Sequence, residues 1–124
     1  MNENKALISI KPEYVEKILA GDKVYEYRKT KFRKDIDSII IYSTSPEMKV
    51  VAEVKVVGII EGSPESVWEK TRTGAGIDKA AYDRYYCEKN YAVAFCLGEV
   101  SKFSPAKTLS DYNIKSAPQS FVYV

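Results

Sequence analysis

Read for the spacing of its apolar and polar positions, the chain divides into short segments, each with its own period. Residues 6–10 are almost all apolar and predict a short buried strand. Pro12 then opens a helix, because the fixed φ of proline suits the first helical position. Tyr14, Val15, Ile18 and Leu19 make one apolar face of that helix, and Gly21 ends it as a left-handed cap. From residue 23 to 28 the pattern alternates, so a second strand follows at once. On it Val24, Glu26 and Arg28 share one face, and Lys23, Tyr25 and Tyr27 the other.

A basic connection spans 29–35, and the β-branched run SIIIY at 38–42 predicts a strand closed by the turn Ser43-Thr44-Ser45-Pro46. Residues 50–60 form a long strand with Gly58 as a bulge or bend. Ser63-Pro64 starts a helix carrying Val67 and Trp68, and Asp78 caps another whose Ala81, Tyr82, Tyr85 and Tyr86 make an apolar stripe. Between them TGAGI at 73–77 lacks the Lys-Ser/Thr ending of a phosphate-binding loop and reads as a linker. Strands at 91–99 and 119–124 complete an order of β-α-β-β-β-α-α-β-β. Neighbouring strands with helices inserted at two points predict an α+β fold. Its sheet would be curved and mostly antiparallel, a small β-barrel with two to three flanking helices.

Length and composition narrow the chemistry. At 124 residues the chain has room for one domain, 1–124. It contains no histidine, which removes Ser-His-Asp and Cys-His nucleophiles and histidine-based metal sites. Cys87 and Cys96 match no zinc or redox spacing, and Cys96 lies in an apolar run as a buried thiol would. No metal or cofactor is called for. With no apolar stretch long enough to cross a bilayer and no signal-peptide pattern at MNENKALISI, a soluble cytoplasmic protein with no membrane partner is expected.

The net charge of +2 hides a polarity. Between residues 23 and 34 six basic side chains (Lys23, Arg28, Lys29, Lys31, Arg33, Lys34) meet one acid, Glu26. Such a block fits a solvated loop, or a patch facing phosphates with tyrosines and Phe32 as stacking surfaces. Lys11 stands at the N-cap of the first helix but cannot accept a hydrogen bond, so the first free N–H groups are left for water or an anion. Glu26 and Arg28 can pair as surface ions. Inside a cleft, Arg28 would instead bind a phosphate or base edge, Glu26 would accept from a base amino group, and Lys23 would supply charge.

The stretch Ser9-Ile10-Lys11-Pro12-Glu13-Tyr14, followed by Gly21-Asp22-Lys23-Val24-Tyr25-Glu26-Tyr27-Arg28, resembles the ASCH domain family of the PUA-like superfamily. Gly21, Lys23, Glu26 and Arg28 match its G-x-K-x-x-x-x-R signature. The YSTSP turn at 42–46 and the tail APQSFVY at 117–123 extend the likeness over nearly the whole chain. The resemblance implies a small barrel with a cleft beside the first helix, and RNA or nucleotide binding near transcription or translation. On that basis the binding residues are Lys11, Lys23, Glu26, Arg28, Lys29, Lys31, Ser45, Gln119 and Ser120, with Trp68 or Tyr86 as a stacking wall if not in the core. The partner would be single-stranded RNA, a nucleotide or a modified nucleoside.

Some relatives are similar to amidohydrolases of N-acetylated cytidine, working through a Lys, a Thr and a Glu, and others resemble single-strand nucleases. Lys23 matches the first pattern, but Glu26 stands where its Thr would be, and Thr30 is too far along. Glu65, Glu69 and Asp78 give no clear match to the family's helical Glu. The alternative to binding is therefore a nucleoside or RNA hydrolase with Lys23 and Glu26 as acid/base partners. A third class is a domain whose basic stretch docks an acidic protein; a partner recovered after nuclease treatment, unaffected by cleft mutations, would mark it.

Overall fold

In the computed structural model, which describes residues 4–32 and 35–124, the SIIIY run becomes strand β3 (Ser38–Ser43), buried along its whole length. A strand stays apolar throughout only where both faces of its sheet are covered. Ile39 and Ile41 point inward with Ala6, Ile8 and Ile10 of β1 (Lys5–Ile10), and Ile40 and Tyr42 point outward with Leu7. Each such isoleucine contributes roughly 1.5–3 kcal/mol by leaving water.

Six strands form one sheet in the order β2-β5-β4-β3-β1-β6, where β2 is Tyr25–Arg28, β4 Lys49–Gly62, β5 Ala92–Lys107 and β6 Phe121–Tyr123. All neighbours run antiparallel except β1 and β3. The register of β4 against β5 shifts at three points, and such bulges bend and twist the strands that carry them. The sheet curls until its edges approach. Phe32, just after β2, stacks on Phe95 of β5 at 4.8 Å and meets Phe121 of β6 edge-on at 4.6 Å. Arg28 Nη1 donates to Ser120 Oγ at 3.2 Å. The fold is the α+β, mostly antiparallel, curled sheet with three helices that the pattern predicts.

Inside the curl lie Ala6, Ile8, Ile39, Ile41, Val54, Val93 and Phe95, closed at one end by Val15 and Ile18 of α1 (Pro12–Ala20). Outside, α2 (Pro64–Thr71) and α3 (Lys79–Tyr85) cover Tyr27, Ala92 and Ala94 with Val67 and Tyr82. On the other flank Leu109, Tyr112 and Ile114 cover Leu7, Ile40 and Val50. The helix starts follow their caps: Ser63 Oγ accepts from Ser66 N at 3.2 Å, and Asp78 Oδ1 from Ala81 N at 2.8 Å.

Several boundaries differ from the pattern. β5 runs on to Lys107 rather than ending at 99, because its register against β4 jumps between Lys102 and Lys107, leaving Pro105 in a bulge where no ladder donor is needed. β2 starts at Tyr25, so Lys23 and Val24 precede the strand and escape its alternation. Cys96 is half-buried rather than buried, and both cysteines are free. Phe32 is no exposed stacking surface, since it joins the two sheet edges. Arg33 and Lys34 lie outside the described residues. Among those described, no helix is long and apolar enough to cross a membrane.

Candidate functional site: a cleft beside the first helix

The two faces of β2 go to different places. Tyr25 and Tyr27 turn outward to α2 and α3, while Glu26 and Arg28 turn to the inner side, paired in register with Phe95 and Val93. Where α1, β2 and α3 meet, a cavity of about 440 Å³ opens. Lys11, Lys23, Arg28 and Arg84 line it with one carboxylate, Glu26, and three tyrosines, Tyr14 and Tyr85 from the helices and the edge of Tyr27 from β2.

Glu26 is 8% exposed and its Oε2 accepts from Arg28 Nη2 at 2.9 Å. Arg28 is held at two further points, and one of its donors is left free. Its Nη1 donates to Ser120, its backbone carbonyl accepts from Tyr86 Oη at 2.7 Å, and its Nε is buried without a hydrogen-bond partner. An unpaired guanidinium N–H costs free energy until an acceptor reaches it.

Lys23 is 4% exposed, and its Nζ donates to the carbonyl of Ala75 at 2.7 Å. The ammonium also stands 4.9 Å from the centre of the Tyr27 ring and 5.4 Å from that of Tyr14. Burial lowers its pKa from the ordinary lysine value, Lys17 and Arg28 lower it further, and Glu26 opposes them. Burial likewise pushes the Tyr27 hydroxyl up to about 12, against the opposing effect of its 2.8 Å hydrogen bond to Thr71.

The structure brings Lys11, Lys23, Glu26 and Arg28 together at the cleft, with Ser120 bonded to Arg28 at its side. Lys11 caps α1 with no side-chain hydrogen bond. Lys29 stands outside the lining, its ammonium 4.6 Å from the ring centre of Tyr85, which lines the cleft. Lys31 pairs with Glu61 at 3.4 Å, away from the lining. Ser45 and Gln119 are exposed and stand outside the lining, as do Glu65, Glu69 and Asp78. Tyr86 belongs to the core and Trp68 packs against Tyr82 outside the cleft. The aromatic walls are instead Tyr14 and Tyr85, which helical spacing assigns to apolar faces. Arg84 had no signal in the pattern.

The family model of the ASCH domain matches residues 8–103. The chain belongs to the ASCH domain family. This ASCH domain is 34% identical over 98 residues to a large ribosomal subunit protein uL22 of Ureaplasma parvum, a match covering 79% of the chain but 31% of that protein. The chain thus spans under a third of the length of that relative. It is 26% identical over 105 residues to an ASCH domain-containing ribonuclease of Zymomonas mobilis, covering 84% of the chain and 71% of the relative. A crystal structure of ASCH from Zymomonas mobilis superposes with a TM-score of 0.86 at 25% identity, over 97% of this chain and 87% of that one.

Proposed function

We propose that this ASCH domain binds single-stranded RNA, taking one nucleotide into the cleft beside α1. The observation that carries this is the lining: four cationic side chains, one carboxylate and three tyrosines around a volume suited to a small ligand. Lys11 and Arg84 at the exposed rim meet phosphates. The Glu26–Arg28 pair offers an acceptor and donors side by side, the pattern a base edge needs. Tyr14 and Tyr85 flank the base as stacking surfaces. Lys29 follows the strand out of the cleft, and the ribonuclease name of the Zymomonas relative fits an RNA ligand.

Fluorescence anisotropy with short single-stranded RNA tests this across a salt series. Log affinity should fall against log salt with a slope of about 0.7 per phosphate contact, and Arg28→Ala should weaken binding. Affinity that is flat with salt refutes the reading. A second reading, RNA hydrolysis, is favoured by one observation: a lysine whose amine burial makes easier to deprotonate stands in the same cleft as a carboxylate. Glu26 and Lys23 would work as the acid/base pair: the carboxylate takes the proton of the attacking hydroxyl, the P–O bond breaks, and the ammonium gives a proton to the leaving oxygen, with Arg28 and Lys11 facing the phosphate. Cleavage of single-stranded RNA lost in both Lys23→Ala and Glu26→Gln would establish it; no cleavage over a panel of RNAs and modified nucleosides would remove it.

A further inference from the structure

Sequence pattern treats residues 73–77 as a linker, but their backbone is turned onto the segment that ends α1. The Gly74 carbonyl accepts from Val24 N at 2.9 Å, the Ala75 carbonyl from Lys23 Nζ at 2.7 Å, and the Gly76 carbonyl from Lys17 Nζ at 3.2 Å. Ala75 is 1% exposed. Three successive carbonyls thus face residues 17–24. The approach depends on the two glycines. A Cβ on Gly76 would lie 2.4 Å from Lys23 Cβ and 3.0 Å from its Cα, and one on Gly74 would lie 2.5 Å from Val24 Cγ2. Gly76 also has φ +65, which side-chain-bearing residues rarely adopt.

The geometry points to a positioning role: the 73–77 loop is a clamp that fixes the Lys23 ammonium on the cleft wall, and Gly76 acts on the cleft's ligand through Lys23. A lysine ammonium has three N–H groups on a four-carbon stem and no preferred direction of its own. Tying one of them to the Ala75 carbonyl, with Tyr14 and Tyr27 beside it, sets where the other two aim. Lys17 holds the far end of the loop from the exposed side of α1. A connection that only joined two helices would need neither a glycine where a Cβ would collide with Lys23 nor a buried carbonyl turned to its amine. The consequence for RNA rests on the binding reading above, whereas the clamp itself does not.

The test follows Lys23 directly, through the 13C shift of its Cε against pH in the ligand-free protein, assigned by comparison with Lys23→Ala. Gly76→Ala adds the clashing Cβ. Gly76→Asn adds the same Cβ with a residue that tolerates a left-handed backbone, so that loss of folding in the first variant does not end the experiment. Gly62→Ala is the control, because Gly62 also has positive φ (+153) but meets nothing closer than 3.8 Å. In both Gly76 variants the Lys23 titration should move up toward that of an exposed lysine as water reaches the amine. Affinity for single-stranded RNA should fall about tenfold or more, the effect of losing one charge-assisted hydrogen bond. Gly62→Ala should change neither. A folded Gly76→Asn protein in which Lys23 titrates as in the wild type overturns the clamp. A shifted titration in a protein that binds no RNA upholds the clamp and refutes the binding reading.

Discussion

Replacing Lys23 by methionine keeps the length and bulk of the side chain and removes its charge. The hydrogen bond to Ala75 and the approaches to the Tyr27 and Tyr14 rings are lost. A charged hydrogen bond contributes about 1.5–3 kcal/mol, and each cation–π contact about 0.5–2 kcal/mol. Against them stands the cost of taking an ammonium out of water, roughly several kcal/mol. The pKa direction decides which side wins. Lys23 lies below the ordinary lysine value because of burial first, with Lys17 and Arg28 adding to it and Glu26 opposing. The folded protein therefore holds this proton less tightly than the unfolded chain does, so the charge is net destabilising even with its contacts counted.

Lys23→Met should then lie within about 1 kcal/mol of the wild type near pH 7, relief of the buried charge offsetting the orphaned Ala75 carbonyl. Between the folded and unfolded pKa values the unfolded chain carries the extra proton, so wild-type stability rises with pH across that window. Below the folded value the penalty is present in full. The variant lacks this rise, so its stability relative to the wild type falls as pH climbs toward the unfolded lysine value. Urea unfolding of both proteins at about pH 7 and about pH 9.5 measures it, and the difference between them isolates Lys23. A variant less stable by about 2 kcal/mol or more at pH 7, or a difference that does not change with pH, would refute the reasoning. RNA affinity should fall at every pH, which separates what Lys23 does for the cleft from what it costs the fold.

Tyr27→Phe removes a buried hydrogen bond to Thr71 and keeps the ring against Tyr82, so it should cost about 1–1.5 kcal/mol and several degrees of Tm in a thermal melt. Phe32→Ala separates the two sheet edges and should cost about 3 kcal/mol by urea unfolding; unchanged stability with weaker RNA binding would return Phe32 to the ligand. Tyr85→Ala takes away a cleft wall and should weaken RNA binding by about 1–3 kcal/mol, read by anisotropy. In the same assay Lys11→Ala should reduce the salt slope by about 0.7, whereas Lys31→Ala, whose charge Glu61 already meets, should leave it nearly unchanged.

Strand and helix periods carried the order of elements because each segment has one dominant partner. The run at 38–42 is apolar on both faces, and the stripe on α3 is cut by Asp78, whose side chain caps its first turn. Pairing partners were not legible. That β1 lies beside β3 in parallel, with β2 at the far edge, is set by contacts between residues far apart in sequence. Periodicity also misassigned the aromatic walls. A tyrosine can lie on the apolar stripe of a helix and still turn part of its ring to a cleft, as Tyr14 and Tyr85 do. The glycines of 73–77 misled for a related reason: the pattern cannot distinguish glycine needed for a turn from glycine needed because another backbone passes close by.

The spacing of Gly21, Lys23, Glu26 and Arg28 has its own physical account in these contacts. Gly21, at φ 86, lets the chain double back so that the amides of Asp22 and Lys23 both donate to the carbonyl of Lys17. Lys23 is thereby held against the last turn of α1, before any strand alternation begins, and its side chain turns to the cleft free of the parity of β2. Val24 then pairs with Gly74, and β2 starts one residue later. From there period two operates, and Glu26 and Arg28 must share the inner face while Tyr25 and Tyr27 take the helices. A shift of one residue between Lys23 and Glu26 would send the carboxylate and guanidinium into the packing of Tyr82 and Val67, leaving two tyrosines at the cleft. Lys23, Glu26 and Arg28 thus meet in one cleft because the Gly21 cap sets the position of the first and the pleat sets the other two.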